Sequence, residues 1–120
     1  AYTDGSCVDD SESSIGVYFG ENHPLNVSQE LPGPIHNPGL AEIIAAQTAL
    51  WKLQRSNTYN NQRVIIRTDY EPLVKAMNHG HNGRFSEEYQ ELRELAESFP
   101  NGVTFEHVYA HDGIKGNEKV

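Results

Sequence analysis

The sequence predicts an α/β fold: a mixed five-stranded sheet, three antiparallel strands first and then strands alternating with helices, flanked by those helices. Three observations predict it. Short β-branched and aromatic runs crowd the stretch before Pro32 and are separated by turn residues, which reads as a meander. Ile43, Ala46, Leu50 and Leu53 then recur at spacings of three and four, the apolar stripe of an amphipathic helix. Beyond it, Val64-Ile65-Ile66 is a continuous apolar run, as expected of a central strand buried on both faces.

Each element follows from its residues. Ala1-Tyr2-Thr3-Asp4-Gly5 reads as the end of a strand entering a turn, and Val8 to Ser14 as a polar loop. Ile15 to Gly20 is a second strand, and Asn22-His23-Pro24 a turn. Leu25 to Leu31 alternates apolar and polar residues, the pattern of a half-buried strand. Pro32 to Gly39 holds three prolines and two glycines and is a loop. Asn37-Pro38 is a helix start, Asn as N-cap and Pro at the first helical position, for a helix running from Leu40 to Arg55. The lone Trp51 on that helix is expected to pack rather than to stack on a base. Glu71-Pro72 to Met77 is a short helix, and Asn78 to Gly83 a loop. Ser86 is expected to cap a helix through Glu97, with Tyr89, Leu92, Leu95 and Ala96 inward. Val103 to Ala110 is the last strand.

Composition narrows the function. The 120 residues, 37% hydrophobic and 22% charged, suit one globular domain with its own core. No apolar run approaches the roughly 18 residues of a membrane helix, and nothing reads as a signal peptide. A single cysteine, Cys7, excludes an internal disulfide. Nine basic against 17 acidic residues give a net charge of −8. That argues against a nucleic-acid binder held by a basic surface. It leaves open an enzyme that meets a polyanion through bound cations.

Three acids stand out by position. Asp4 follows strand residues, Asp69 follows the Val64–Ile66 run, and Glu42 borders the apolar stripe of the long helix. Carboxylates in such places are unfavourable unless paired or metal-bound. Mg²⁺ takes oxygen ligands from a few carboxylates, and two such ions can drive phosphodiester cleavage. Each acid also has a structural reading: Asp4 before Gly5 as a turn former, Asp69 as an N-cap, Glu42 as a partner of the helix dipole. His79-Gly80-His81 has no cysteine pair beside it, so zinc is not expected. The run Glu87, Glu88, Glu91, Glu94 and Glu97 reads as a solvated helix face.

Five motifs taken in order resemble type 1 ribonuclease H. They are Tyr2-Thr3-Asp4-Gly5-Ser6-Cys7; Gly16 to Gly20 followed by His23-Pro-Leu-Asn-Val27; Ala41-Glu42 with Ala45-Ala46 and Ala49-Leu50; Arg67-Thr68-Asp69; and Val108-Tyr-Ala-His111-Asp-Gly113 with Gly116-Asn-Glu118. The resemblance covers nearly the whole chain. It implies a ribonuclease H-like fold and an endoribonuclease that hydrolyses the RNA strand of RNA–DNA hybrids, leaving 5′-phosphate and 3′-hydroxyl ends. Two Mg²⁺ ions, replaceable by Mn²⁺, would be held by Asp4, Glu42 and Asp69. His111 would assist near the outgoing phosphate, although by itself it reads as a polar loop residue. Gly5, Ser6, Cys7 and Glu42 would read the 2′-hydroxyl. Asn37 would contact the hybrid, alongside its N-cap role, and Tyr70 stands beside the third acid where the family usually has Ser.

The resemblance also implies one catalytic domain over residues 1–120, lacking the first residues of strand one and the closing helix. A further family carboxylate would fall just after Val120. The expected protein is a monomer, away from membranes and inside the cell; nucleus, mitochondrion and cytoplasm are not distinguished. Pro34 and His36 stand where eukaryotic members hold a DNA-strand phosphate with Arg and Thr, and the basic protrusion is reduced to Asn78–Arg84. Arg55, Arg63, Arg67, Lys75 and Arg84 remain as candidate phosphate contacts. Weakened hybrid binding is therefore expected. The alternative is a catalytically impaired ribonuclease H-fold domain used for hybrid binding or scaffolding.

Overall fold

The structure, a computed structural model, describes residues 1–8, 12–30, 37–56, 59–80 and 85–109. In chain order the elements are β1 (Tyr2–Val8), β2 (Glu12–Tyr18), β3 (Val27–Glu30), α1 (Pro38–Gln54), β4 (Val64–Thr68), α2 (Glu71–His79), α3 (Ser86–Glu97) and β5 (Val103–His107). The five strands form one sheet in the order β3-β2-β1-β4-β5. β1–β2 and β2–β3 pair antiparallel, while β1–β4 and β4–β5 pair parallel. This is the predicted mixed sheet with its predicted order of strands and helices.

Alternation governs the strands. In β4, Val64, Ile66 and Thr68 are buried while Ile65 and Arg67 are half-buried. Val64 and Ile66 meet Ile43, Ala46 and Leu50 of α1, with Leu73 of α2, Leu92 of α3, and Phe99 and Phe105, in one core. The stripe read from the sequence is thus the face that α1 buries. Asn37 caps α1 as expected, its side chain accepting from the Gly39 and Leu40 N–H groups at 2.8 and 3.2 Å. That satisfies two of the donors a helix start leaves unpaired.

At the β2–β3 turn, Asn26 accepts from the Phe19 N–H and donates to the Gly20 carbonyl, both at 2.7 Å. The His23 ring lies against Phe19, and its Nδ1 accepts from the Leu25 N–H. The His-Pro-Leu-Asn stretch is therefore hairpin chemistry.

Several expectations are corrected. β1 does not turn at Asp4-Gly5: it runs on to Val8, paired throughout with β2, Asp4 opposite Gly16. The Asp-Gly turn tendency gives way to ladder pairing, and β2 begins at Glu12, inside the stretch expected to be loop. Ser86 does not cap α3; Phe85 occupies that position without a side-chain cap bond. Asp69 is not the cap of α2 either, because Tyr70 holds that place. Trp51 does not pack into the core. It is 54% exposed, with the Arg55 guanidinium 5.1 Å from its ring centre. The glutamates of α3 lie on its outer face, Glu87, Glu91, Glu94 and Glu97 exposed and Glu88 half-buried, as expected. Among the described residues no helix is long and apolar enough to cross a membrane.

Candidate active site

The site arises where the sheet divides. β4 pairs with β1 only at Tyr2 and Thr3, which face Arg67 and Thr68. Beyond that register β1 keeps only β2 as a strand neighbour among the described residues, and the carboxyl ends of two adjacent parallel strands part. The crevice outside such strand ends is the habitual ligand site of α/β sheets. Asp4 is the first β1 residue past the division, and Asp69 is the first residue past β4.

α1 brings the third acid by direct contact with β1. At Gly5 the helix backbone lies against the strand: a Cβ there would sit 2.5 Å from the Ala41 carbonyl oxygen, and closer still to the Ala41 carbon and Glu42 nitrogen. Only glycine admits that approach. The Gly5 N–H then donates to Glu42 Oε1 at 2.5 Å, fixing a side chain that is only 6% exposed. Carboxylate oxygens of Asp4, Glu42 and Asp69 all lie within 4.8 Å of one another. All three sequence-predicted ligands therefore meet at one point.

The electrostatics of the trio are unfavourable as they stand. Burial and the Asp4 charge push the Glu42 carboxyl up to about 9, against the Gly5 N–H, which favours the ionised form. Asp4 is also raised, by burial and then by Asp69. Its carboxyl shares a hydrogen bond with that of Glu42. The influences on Asp4 and Glu42 are burial, the other two acids and the Gly5 N–H; among the described residues none is a cation. Carboxylates crowded in this way, one of them buried, repel one another. An all-oxygen donor set of this size fits a hard divalent cation.

The remaining predicted residues divide. Gly5 is in the site. Ser6 and Cys7 continue β1 past it, their backbone paired with Ser14 and Ser13. Asn37 is half-buried at the start of α1, five residues before Glu42, with its Oδ1 engaged by the cap. Tyr70 adjoins Asp69 and leans toward α1: a Cβ on Gly39 would lie 2.5 Å from its hydroxyl. His111 and Arg84 lie outside the described residues, as do Pro34 and His36. Of the candidate phosphate contacts, Arg67 pairs with Glu106 at 3.3 Å and Lys75 with Glu71 at 2.7 Å. Arg63 bonds Thr104, and Arg55 covers Trp51. None of these four is drawn to the carboxylates.

Sequence reasoning missed the contributions of Thr68 and Tyr89. Thr68 is fully buried, and its Oγ1 accepts from the Tyr70 N–H at 3.1 Å. Tyr89, on α3, is buried near the trio, and its hydroxyl is raised to about 12 by burial, then by Tyr70 and Glu42. The signal for Thr68 was its place directly before Asp69, which mirrors Thr3 before Asp4.

A five-stranded mixed sheet with three converging carboxylates at the ends of its parallel strands defines an α/β domain with a candidate metal site. The RNase H family model matches residues 1–120, and the chain belongs to that family. It is 31% identical to ribonuclease H1 of Mus musculus, over 98% of this chain and 46% of that protein. Against ribonuclease H1 of Homo sapiens the identity is 29%, with the same coverage. The chain thus spans about half the length of these curated relatives. Among solved structures, LC11-RNase H1 in complex with an RNA/DNA hybrid superposes with a TM-score of 0.76 at 19% identity, covering 98% of this chain and 89% of that one. LC11-RNase H1 isolated from compost superposes with a TM-score of 0.73 at 23% identity, covering 98% and 88%.

Proposed function

We propose that this chain hydrolyses the RNA strand of RNA–DNA hybrids, as a divalent-metal-dependent endoribonuclease leaving 5′-phosphate and 3′-hydroxyl ends. The observation that carries this reading is the convergence of Asp4, Glu42 and Asp69 within 4.8 Å in a chain of the RNase H family. The hybrid bound to LC11-RNase H1, a protein of the same fold, supports the substrate class.

Asp4, Glu42 and Asp69 would hold Mg²⁺, as one or two ions, with Mn²⁺ as a substitute. When bound, the metal supplies water activation and stabilisation of the departing oxygen in phosphodiester cleavage. The chain's own residues do the rest. The Gly5 N–H keeps Glu42 turned into the crevice. Those backbone groups of Gly5, Ser6 and Cys7 that pairing with β2 and the Glu42 bond leave outward would meet a ribose 2′-hydroxyl, the group that separates RNA from DNA. Asn37, its Oδ1 held by the cap, keeps its amide N–H donors for the hybrid. Tyr70 flanks Asp69 at the crevice. His111 would transfer a proton near the outgoing phosphate, a task suited to imidazole. The net charge of −8 predicts hybrid binding that depends on the cation and has a shallow salt dependence, because few basic side chains are placed to neutralise phosphates.

The test is cleavage of an end-labelled RNA strand in an RNA–DNA hybrid with Mg²⁺, with RNA duplex and DNA duplex as controls. Hybrid-only cleavage abolished by chelator is the expected result. Hybrid binding without cleavage, in a protein that binds Mg²⁺, would replace the enzyme reading with one of recognition.

A further inference from the structure

Two buried threonines occupy equivalent places in the two strands that carry aspartates. Thr3 precedes Asp4 on β1, and Thr68 precedes Asp69 at the end of β4. They face each other in the parallel register, and both are 0% exposed. Their hydroxyls differ. Thr68 Oγ1 accepts from the Tyr70 N–H, spanning Asp69, whereas Thr3 Oγ1 has no hydrogen-bond partner among the described residues.

The Thr68 bond falls where positional control is most needed. Asp4 lies inside a strand paired on both sides of it with β2, so the ladder fixes its backbone. Asp69 lies beyond the end of β4, where no ladder holds it. Its turn is fixed from before and behind. The Thr68 carbonyl accepts from the Val108 N–H at 2.9 Å, and the Tyr70 carbonyl from the Leu73 N–H at 3.2 Å. The Thr68 hydroxyl closes the turn between those two anchors. Tyr70 then reaches Gly39, three residues before Glu42, so the same turn is seated against the helix that carries the neighbouring carboxylate.

We propose that Thr68 is a positioning residue for the carboxylate site, acting through Asp69. Its hydroxyl supplies the local constraint that the β1 ladder supplies to Asp4. This inference rests on the reading of the trio as a divalent-cation site. It assigns the constraint to the hydroxyl, and not to the bulk of a buried β-branched side chain.

The experiment is calorimetric titration of Mn²⁺ into the substrate-free protein, with melting curves for every variant. Thr68→Ser and Thr68→Ala differ by the hydroxyl alone. The Ser variant is expected to keep the wild-type dissociation constant, and the Ala variant to weaken it by about tenfold, the scale of losing an outer partner of a metal ligand. Thr68→Val, which keeps the shape and removes the hydroxyl, is expected to follow the Ala variant. Thr3→Val is expected to keep wild-type affinity and to melt higher, because it removes an unpaired buried hydroxyl. In steady-state cleavage the Thr68→Ala loss should appear as a raised Mg²⁺ requirement, with the KM for hybrid unchanged once Mg²⁺ is saturating. Equal Mn²⁺ affinity in the Ser and Ala variants would overturn the inference, and should Thr68→Val not fold, that pair still decides. Equal weakening by Thr3→Val would overturn it as well. A wild-type protein that takes up no Mn²⁺ would overturn the metal-site reading itself, and this inference with it.

Discussion

The two ends of the sheet are built on opposite terms. At the β2–β3 turn, Asn26 satisfies a donor and an acceptor, and His23 both bonds the chain and packs on Phe19. At the opposite end, where β1 and β4 part, three carboxylates are pressed together, and burial lifts Glu42 to about 9. The first end holds the fold together. The second is held together by the fold, through Gly5, Thr68 and the core contacts of α1. Groups kept in an unfavourable arrangement by their surroundings mark functional sites. Here the crowding of like charges supports the proposed cation site.

That contrast can be broken from either end. The largest expected effect is on chemistry. Asp69→Asn should lower hybrid cleavage by about 10²–10³-fold or more, the scale of losing one preorganised charged group, with the melting temperature of the metal-free protein unchanged or raised. Next comes Gly5→Ala. Its Cβ would collide with the Ala41–Glu42 backbone, and overpacking of this kind costs about 1–3 kcal/mol. Denaturant unfolding should read that loss, and cleavage should fall with it because Glu42 is displaced. Asn26→Ala, at the satisfied end, should cost about 1–2 kcal/mol for two lost hydrogen bonds and leave kcat on hybrid unaltered. Asn37→Ala should cost about 1 kcal/mol through loss of the helix cap, read again by denaturant unfolding. A kcat that moved with Asn26 would erase the distinction between the two ends.

Much of this architecture was legible in the residues. The spacing of Ile43, Ala46 and Leu50 named the buried face of α1, and Asn37-Pro38 marked its start. The run at Val64 named a strand interior to the sheet. The three acids stood out because each sat at a strand end or beside a core face. What was not legible is what depends on distant pairing. Asp4-Gly5 has the composition of a turn, and only the β2 ladder draws it into a strand. Trp51 has the composition of a core residue, yet it stays exposed on α1 and is roofed by Arg55. Ser86 suits a cap, but the chain enters α3 one residue earlier, at Phe85. Within the site, the identity of the acids could be read, but not the way they are held. The Gly5 contact and the Thr68 hydroxyl bond exist only once helix and strands are in place.

Crowding at the carboxylate trio is relieved by a cation in the proposed reading. Glu42, with its carboxyl raised from an ordinary 4.5 to about 9, binds its proton more tightly in the folded state. Its stabilising contribution is full below about pH 4.5 and is lost as pH rises through about 9. The most direct test is therefore the melting temperature of the chelator-treated wild type and of Glu42→Gln from pH 5 to pH 9, with and without Mg²⁺. The account predicts that the metal-free wild type loses stability as pH rises, that Glu42→Gln melts higher than wild type at pH 8 with a flatter profile, and that Mg²⁺ raises the wild type more than the variant. A Glu42→Gln variant that melts below the wild type at pH 8, together with a wild type indifferent to Mg²⁺, would contradict it.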